Sequence, residues 1–233
     1  MKAVLLDIEG TTTPIDFVHK TLFPFSRKRL HSFVAENFAN LQNEIASLHA
    51  EHKIDESKGE NLSPFDELSI VSIVEYLNYL IDDDRKSTAL KSIQGKIWRE
   101  GYENGELKGE LFEDVSSAFE RWKNAEKTVA IFSSGSVLAQ KLIFKHSIHG
   151  DLSQYISAYF DTTIGTKRDV ESYRKIAENL RFPPVEILFV SDVVEELDAA
   201  NDAGMKTLLS IRPNNAPIEK AVFHDSVQNF DTI

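Results

Sequence analysis

The chain opens with four apolar residues in a row, Ala3-Val4-Leu5-Leu6, that lead straight into Asp7. A short unbroken apolar run suits a strand buried on both faces, as in a parallel sheet flanked by helices. The pattern therefore predicts a strand over 3–6 with Asp7 at its C-terminal end, followed by Glu9, Gly10, Thr11, Thr12 and Thr13. Past Pro14 the period changes. Phe17, Val18, Leu22 and Phe25, then Leu30, Phe33 and Val34, recur at helical spacing, and Pro24 predicts a break between two pieces. Residues 40–61 are polar and charged, and 51–60 read as a mobile loop. Ser63-Pro64-Phe65-Asp66 has the make-up of a helix start: a Ser cap, Pro in the first helical position and an acid in the first turn. Ile70, Ile73, Val74, Leu77 and Leu80 continue as one apolar stripe up to Asp82-Asp83-Asp84, which reads as a solvated turn. A further amphipathic segment carries Leu90, Ile93, Ile97 and Trp98 and runs to Gly101.

In the second half strand-like runs at 128–132, 156–160, 186–190 and 206–211 alternate with helical segments at 137–145, 170–180 and 195–203, the last closed by Gly204. Strands separated by helices imply right-handed crossovers and a parallel sheet. The expected fold class is α/β: a Rossmann-like parallel sheet core, 1–15 plus 116–233, with 16–115 inserted as a helical cap. An insertion this long at the catalytic end of a sheet is expected to act as a lid.

Composition narrows the chemistry. With 233 residues, 42% hydrophobic and 27% charged, the chain is of ordinary globular make-up and long enough for one sizeable domain carrying an insertion. A net charge of -11 argues against nucleic acid as a principal partner, yet leaves room for a small phosphorylated substrate. Cysteine is absent, which removes disulfides, thiolate nucleophiles and Cys-type zinc sites. No targeting stretch or membrane-length apolar run is read at the start or elsewhere, so a cytosolic protein, with nuclear residence also open, and a monomer are expected. The seven histidines show no metal-ligand spacing and are expected at the surface or at an interface.

Each strand ends in polar residues that would meet at one end of the sheet, where open α/β sheets place their ligands. The first delivers Asp7 and Glu9, which alternate along an extended backbone, and the second Ser133-Ser134-Gly135-Ser136 before a helix. The third ends in Asp161, with Lys167 beyond it, and the fourth delivers Ser191 and Asp192 ahead of Glu195 and Glu196. Hydroxyls and free N–H groups at a helix N-terminus bind phosphate. Carboxylates such as Asp7 and Asp192 offer the hard oxygens that Mg²⁺ takes. Together these are the parts for phosphoryl transfer to a carboxylate: Asp7 as nucleophile, Glu9 as acid and base, Ser133 and Lys167 holding the phosphoryl oxygens. Each part has a bland reading as well: solvated acids at a strand end, a helix-capping serine turn, a surface lysine, first-turn glutamates.

The series Asp7, Ser133, Lys167, Asp192 resembles the four motifs of the haloacid dehalogenase-like phosphatases. In most of those the second position after the nucleophile is Asp, whereas here it is Glu9. The Asp-Ile-Glu-Gly-Thr-Thr variant is similar to the enolase-phosphatases of methionine salvage. So are Gln94-Gly95-Lys96-Ile97-Trp98 with Gly101, Tyr102 and Gly105, then Gly165-Thr166-Lys167, and the late Arg212-Pro213-Asn214-Asn215. That resemblance implies a bifunctional enzyme that enolises 2,3-diketo-5-methylthiopentyl-1-phosphate and then removes its phosphate. It implies one Mg²⁺ among Asp7, Glu9 (through its backbone carbonyl) and Asp192, and substrate held by Ser133, Ser134 and Lys167. The base of the enolisation stays open between Glu9 and a residue of the insertion. A general small-molecule phosphatase, a catalytically silent binding protein and a true dehalogenase are the rival readings. Trp98 and Tyr102, four apart on a helix, read as core packing or as a seat for the methylthio tail.

Overall fold

The computed structural model describes residues 1–217 and 223–233. The strands are β1 (Ala3–Leu6), β2 (Thr128–Phe132), β3 (Ile156–Phe160), β4 (Ile187–Ser191), β5 (Lys206–Ser210) and β6 (Ser226–Val227). All pair in parallel, in the order β3-β2-β1-β4-β5-β6. The helices are α1 (Phe23–Asn37), α2 (Gln42–Ser57), α3 (Ile70–Asp82), α4 (Thr88–Glu103), α5 (Glu113–Asn124), α6 (Val137–Lys145), α7 (Val170–Leu180) and α8 (Val194–Asp202). The chain forms two units, Met1–Lys20 with Gly105–Ile233, and Thr21–Asn104.

In the first unit β1 is buried along its whole length, as an apolar run without alternation requires. Ala3 and Leu5 share a core with Tyr173 and Ile176 of α7 and Leu197 and Ala200 of α8. The expected strands recur within a residue at each end. The two-residue β6, too short to leave a pattern, was not foreseen. Residues 16–20 and 105–115, expected in the insertion, sit with the sheet instead. Leu107 and Leu111 are buried, Gly109 N–H donates to His146 O at 2.9 Å, and Phe112 N–H donates to Thr12 O at 3.0 Å. A Cβ on Gly109 would stand 2.1 Å from Ile143 O, so this approach needs a glycine.

The C-terminal segment closes against α5. Phe230 is fully buried beside Trp122 (ring centroids 5.6 Å apart), and Trp122 Nε1 donates to Ile233 O at 3.0 Å. Phe230→Ala should lower unfolding free energy by about 3–5 kcal/mol, as emptying an aromatic site in a core does. Urea denaturation checks this, and a change under ~1 kcal/mol would mean the segment adds little to the core.

The second unit is built from α1 to α4, each packed mainly against two others. Pro24 stands at the break expected there: a π-helical piece over Phe17–Leu22 ends just before it, and α1 begins at Phe23 with the proline in its first turn, where its missing N–H costs nothing. The mobile loop expected at 51–60 is largely the end of α2. Its buried positions are Ile45, Leu48, His52 and Asp55, so the inward stripe ends in two polar residues and the apolar period vanishes from the sequence. Tyr76 OH donates to Asp55 Oδ2 at 2.8 Å, and Arg85 pairs with the same carboxylate at 3.1 Å. Burial alone would raise the Asp55 carboxyl, but the bonds from Tyr76 and Arg85 outweigh it and hold it below the usual range. His52, expected at the surface, is buried and bonds Ser63 O at 2.9 Å.

The helix start read at Ser63–Asp66 falls at Ser69 instead, whose side chain accepts from Ser72 N–H. The Asp66 side chain takes Leu68 N–H at 2.9 Å, a local turn that competes with helix. Trp98 and Tyr102 are both buried, and Trp98 Nε1 donates to Leu22 O at 2.8 Å, as the packing reading expects.

Candidate active site

The central strand β1 lies between β2 and β4, with Leu6 level with Ile131 and Val190. Asp7 N–H still bonds Val190 O at 3.0 Å, so the carboxylate is fixed one residue beyond the strand. This is the crevice at the carboxyl ends of a sheet whose order reverses at its middle. The chain then folds over sharply. Thr11, Thr12 and Thr13 all turn their N–H groups to Ile8 O, at 3.2, 2.9 and 2.8 Å. Glu9 stands half-buried at the start of this turn, in an isolated bridge with Thr13.

Gly10 permits that bend. Its φ is +67°, and a Cβ there would lie 2.3 Å from Asp192 Oδ2 and 2.9 Å from Asn215 Oδ1. Gly10→Ala must strain the backbone and push Asp192 aside. The expected result is a loss of turnover of about tenfold to a hundredfold, the scale of a small displacement of site groups. Steady-state kinetics beside a thermal melt would test it, and wild-type rates would show that the close approach is dispensable.

Lys167 is the buried centre of the charge arrangement. Its Nζ lies 2.6 Å from Asp7 Oδ1 and 2.6 Å from Glu196 Oε2. Burial alone would lower its pKa, but the charges of Asp7 and Glu196 outweigh this and raise it, so the lysine stays a cation. Tyr173 OH donates to Lys167 O at 2.6 Å, and Ser172 Oγ to Thr166 O at 2.7 Å, which pins the loop to the first turns of α7. Ser191 Oγ donates to Glu196 Oε2 at 2.9 Å and stands 3.5 Å from Asp7 Oδ2. Asp7 Oδ1 is thus clamped by the lysine, while Oδ2 has this long contact among the described residues.

Glu196 is the residue that the sequence placed merely in a helix's first turn. Its spacing after Asp192, one helical turn on, is the signal that could have found it.

Ser133 is buried directly after β2, and its Oγ accepts from Gly135 N–H at 3.2 Å, leaving its own proton to donate. Ser136 caps α6, and the next helical N–H, that of Val137, points to Asp161 Oδ2 at 3.2 Å. Ser134 lies half-buried between them. Asp192 follows β4, and its carboxyl is pushed up to about 7 by burial first and by the charge of Asp7 second. Glu196 is raised for the same two reasons.

Asp7, Asp192 and Glu196 face one lysine, which leaves excess negative charge in a buried place. Among the described residues no three His, Asp or Glu side chains come together as a metal group on their own. The available set is two carboxylates, Asp7 and Asp192, with a backbone carbonyl, and hard oxygens beside surplus charge suit a divalent cation.

Arg212 and Asn215 brace the loop from behind. Arg212 pairs with both oxygens of Asp114 at 2.8 Å, donates to Thr11 O at 3.2 Å, and lies between the rings of Phe112 and Phe230. Asn215 Nδ2 and Ser210 Oγ each donate to Gly10 O at 3.0 Å. No site role for either follows from composition or period.

The family model of haloacid dehalogenase-like hydrolases matches residues 1–204. Over 93% of its length the chain is 50% identical to the enolase-phosphatase E1 of Synechococcus elongatus, covering 91% of that protein. It is 49% identical to the enolase-phosphatase E1 of Leptospira borgpetersenii over 97% of the chain and 96% of the relative. Among solved structures it superposes on the UTR4 protein of Saccharomyces cerevisiae with a TM-score of 0.82 and 32% identity, covering 100% of this chain and 99% of that one. Among the described residues no helix is long and apolar enough to cross a membrane.

Proposed function

Because the chain belongs to the enolase-phosphatase E1 family within the haloacid dehalogenase-like hydrolases, we propose that it converts 2,3-diketo-5-methylthiopentyl-1-phosphate to 1,2-dihydroxy-3-keto-5-methylthiopentene and phosphate. The observation that carries the hydrolytic step is Lys167, buried between Asp7 and Glu196 at the end of the central strand. With Oδ1 held by the lysine, Asp7 Oδ2 is the oxygen that attacks phosphorus. The P–O ester bond breaks as the Asp7 Oδ–P bond forms, and Glu9 gives a proton to the departing oxygen. Glu9 then takes a proton from the water that cleaves the aspartyl-phosphate, and phosphate leaves. Lys167, the Ser133 hydroxyl and Ser134 hold the phosphoryl oxygens through both transfers.

Mg²⁺ is the proposed cation, held by Asp7, Asp192 and the Glu9 carbonyl. When bound it supplies charge neutralisation at the phosphoryl group and polarisation of the substrate carbonyl. Enolisation requires a base near that carbonyl, for which Glu9 and a residue of the insertion are the two candidates. A monomer in the cytosol is the setting this reading assumes.

Anaerobic turnover of the diketo phosphate, with enol absorbance and free phosphate followed together, tests the proposal. The expected course is a transient enol followed by phosphate, both abolished by chelating the cation and restored by Mg²⁺. Phosphate release from simple sugar phosphates with no reaction on the diketone would reassign the protein to general phosphatase chemistry.

A further inference from the structure

Gln140 of α6 is a buried amide whose hydrogen bonds lead to the turn that carries Ser133. Its Nε2 donates to Gly135 O and to Phe160 O, each at 2.8 Å. Both partners are carbonyl oxygens and can only accept, so the amide must face them with its NH₂ group, and both hydrogens are used. Oε1 has no hydrogen-bond partner among the described residues. The side chain therefore acts through its NH₂ group alone. Packing by itself would favour an apolar chain of the same length, which brings no unanswered oxygen into the interior.

The two carbonyls join two strand ends. Phe160 is the last residue of β3, and its O also accepts Ser133 N–H at 3.2 Å from just beyond β2. Gly135 lies in the turn between β2 and α6, and its N–H donates to Ser133 Oγ at 3.2 Å. Gly135 is thus held from both sides, by Gln140 at its carbonyl and by Ser133 at its nitrogen. The bond from Gly135 fills one lone-pair direction of Ser133 Oγ and so limits where the hydroxyl proton can turn. Gln140 N–H also donates to Ser136 O at 3.0 Å, which ties the amide's own backbone to the same turn.

We propose that Gln140 is a positioning residue for phosphoryl recognition: by binding Gly135 O and Phe160 O it fixes the turn that aims the Ser133 hydroxyl at the phosphoryl group. This rests on the phosphatase reading above and adds a residue to it. Gln140 acts through Gly135 and takes no part in making or breaking bonds. A hydroxyl on a loose turn would have to be ordered as charge builds on the phosphoryl oxygens, whereas one already held in place needs no rearrangement.

The test is a double-mutant cycle on kcat/KM for phosphate release from the diketo phosphate, with folding checked by circular dichroism. Gln140→Met keeps the length and removes both hydrogen bonds, and it should lose about tenfold to a hundredfold, the scale of a small displacement of a site group. In a Ser133→Ala background the same change should cost less than about twofold, because the group it positions is already gone. In Gln140→Glu a neutral carboxyl can donate one hydrogen bond to these carbonyls and a carboxylate none. Its kcat/KM relative to wild type at the same pH should therefore rise as pH falls from about 8 to 5, while that of Gln140→Met should stay level. Wild-type kinetics in Gln140→Met overturn the inference, as do equal fractional losses with and without Ser133, which would make Gln140 a brace of the fold and no more. If Gln140→Met does not fold, a level ratio in Gln140→Glu overturns it, and so does failure of both variants to fold. A Ser133→Ala protein as active as wild type overturns the phosphoryl-binding reading itself, whatever Gln140 does.

Discussion

Asp7→Asn is expected to lower phosphate release by about 10⁴-fold or more, the scale seen when a nucleophile is removed from a unit that acts together. The side chain is nearly isosteric, so the geometry around it should survive. Lys167 keeps Glu196 at 2.6 Å as a counter-charge, and Asp7 N–H keeps Val190 O at 3.0 Å. What goes is the oxygen able to form a bond to phosphorus. Loss of the Asp7 charge also removes one cause of the upward shift at Asp192 and Glu196, so both carboxyls should titrate lower in the variant. Rapid-quench phosphate assays beside a carboxyl-region NMR titration would measure both effects. Residual activity within tenfold of wild type would remove Asp7 from the nucleophile's role.

The sheet was legible because its strands are buried on both faces. Runs such as Val129-Ala130-Ile131-Phe132 have no polar side to confuse the period, and the carboxylate after the first run marks the ligand end. The candidate site was legible as residue types at strand ends, since Asp7, Ser133 and Asp192 are placed by short connections that leave little freedom. Three features were hidden, each for a physical reason. The second half of α2 faces inward with His52 and Asp55, whose burial is made tolerable by Ser63 O, Tyr76 and Arg85 from elsewhere in the chain. The start of α3 moved because Asp66 spends its side chain on a local turn. Lys167 is readable as a site residue, but its burial is not, because Asp7 and Glu196, each far off or a helix away in sequence, enclose it. Burial of a polar group is decided by its partners, and partners are a tertiary fact.

That dependence on partners makes Lys167→Met the most informative stability variant. Removing one member of a buried ion cluster leaves uncompensated charge and costs about 3–5 kcal/mol. Here it leaves Asp7, Asp192 and Glu196 without the lysine that pairs with two of them. The sign with pH follows from the direction of the shifts. In wild type Lys167 is raised, so its contribution is fully present below the ordinary lysine pKa and is lost only as pH rises beyond it. Between pH 5 and 8 the lysine itself stays charged, so any change with pH in what its removal costs comes from the carboxyls around it.

In the variant the carboxyls of Asp192 and Glu196 lose the lysine that lowers them and are pushed up further than in wild type, where Asp192 already stands at about 7. A raised carboxyl favours the folded state while protonated, below its unfolded pKa, and that advantage disappears as pH rises through the folded value. Lys167→Met should therefore be close to wild type in stability near pH 5 and deeply destabilised at pH 8, with added Mg²⁺ recovering part of the loss at pH 8. Phosphate release at saturating Mg²⁺ should fall by about 10²–10³-fold, since a charge aimed at the phosphoryl oxygens is gone. Urea denaturation at both pH values decides the matter. Parallel pH curves for the two proteins would mean that Lys167 is not the charge that makes this cluster of carboxylates compatible with folding.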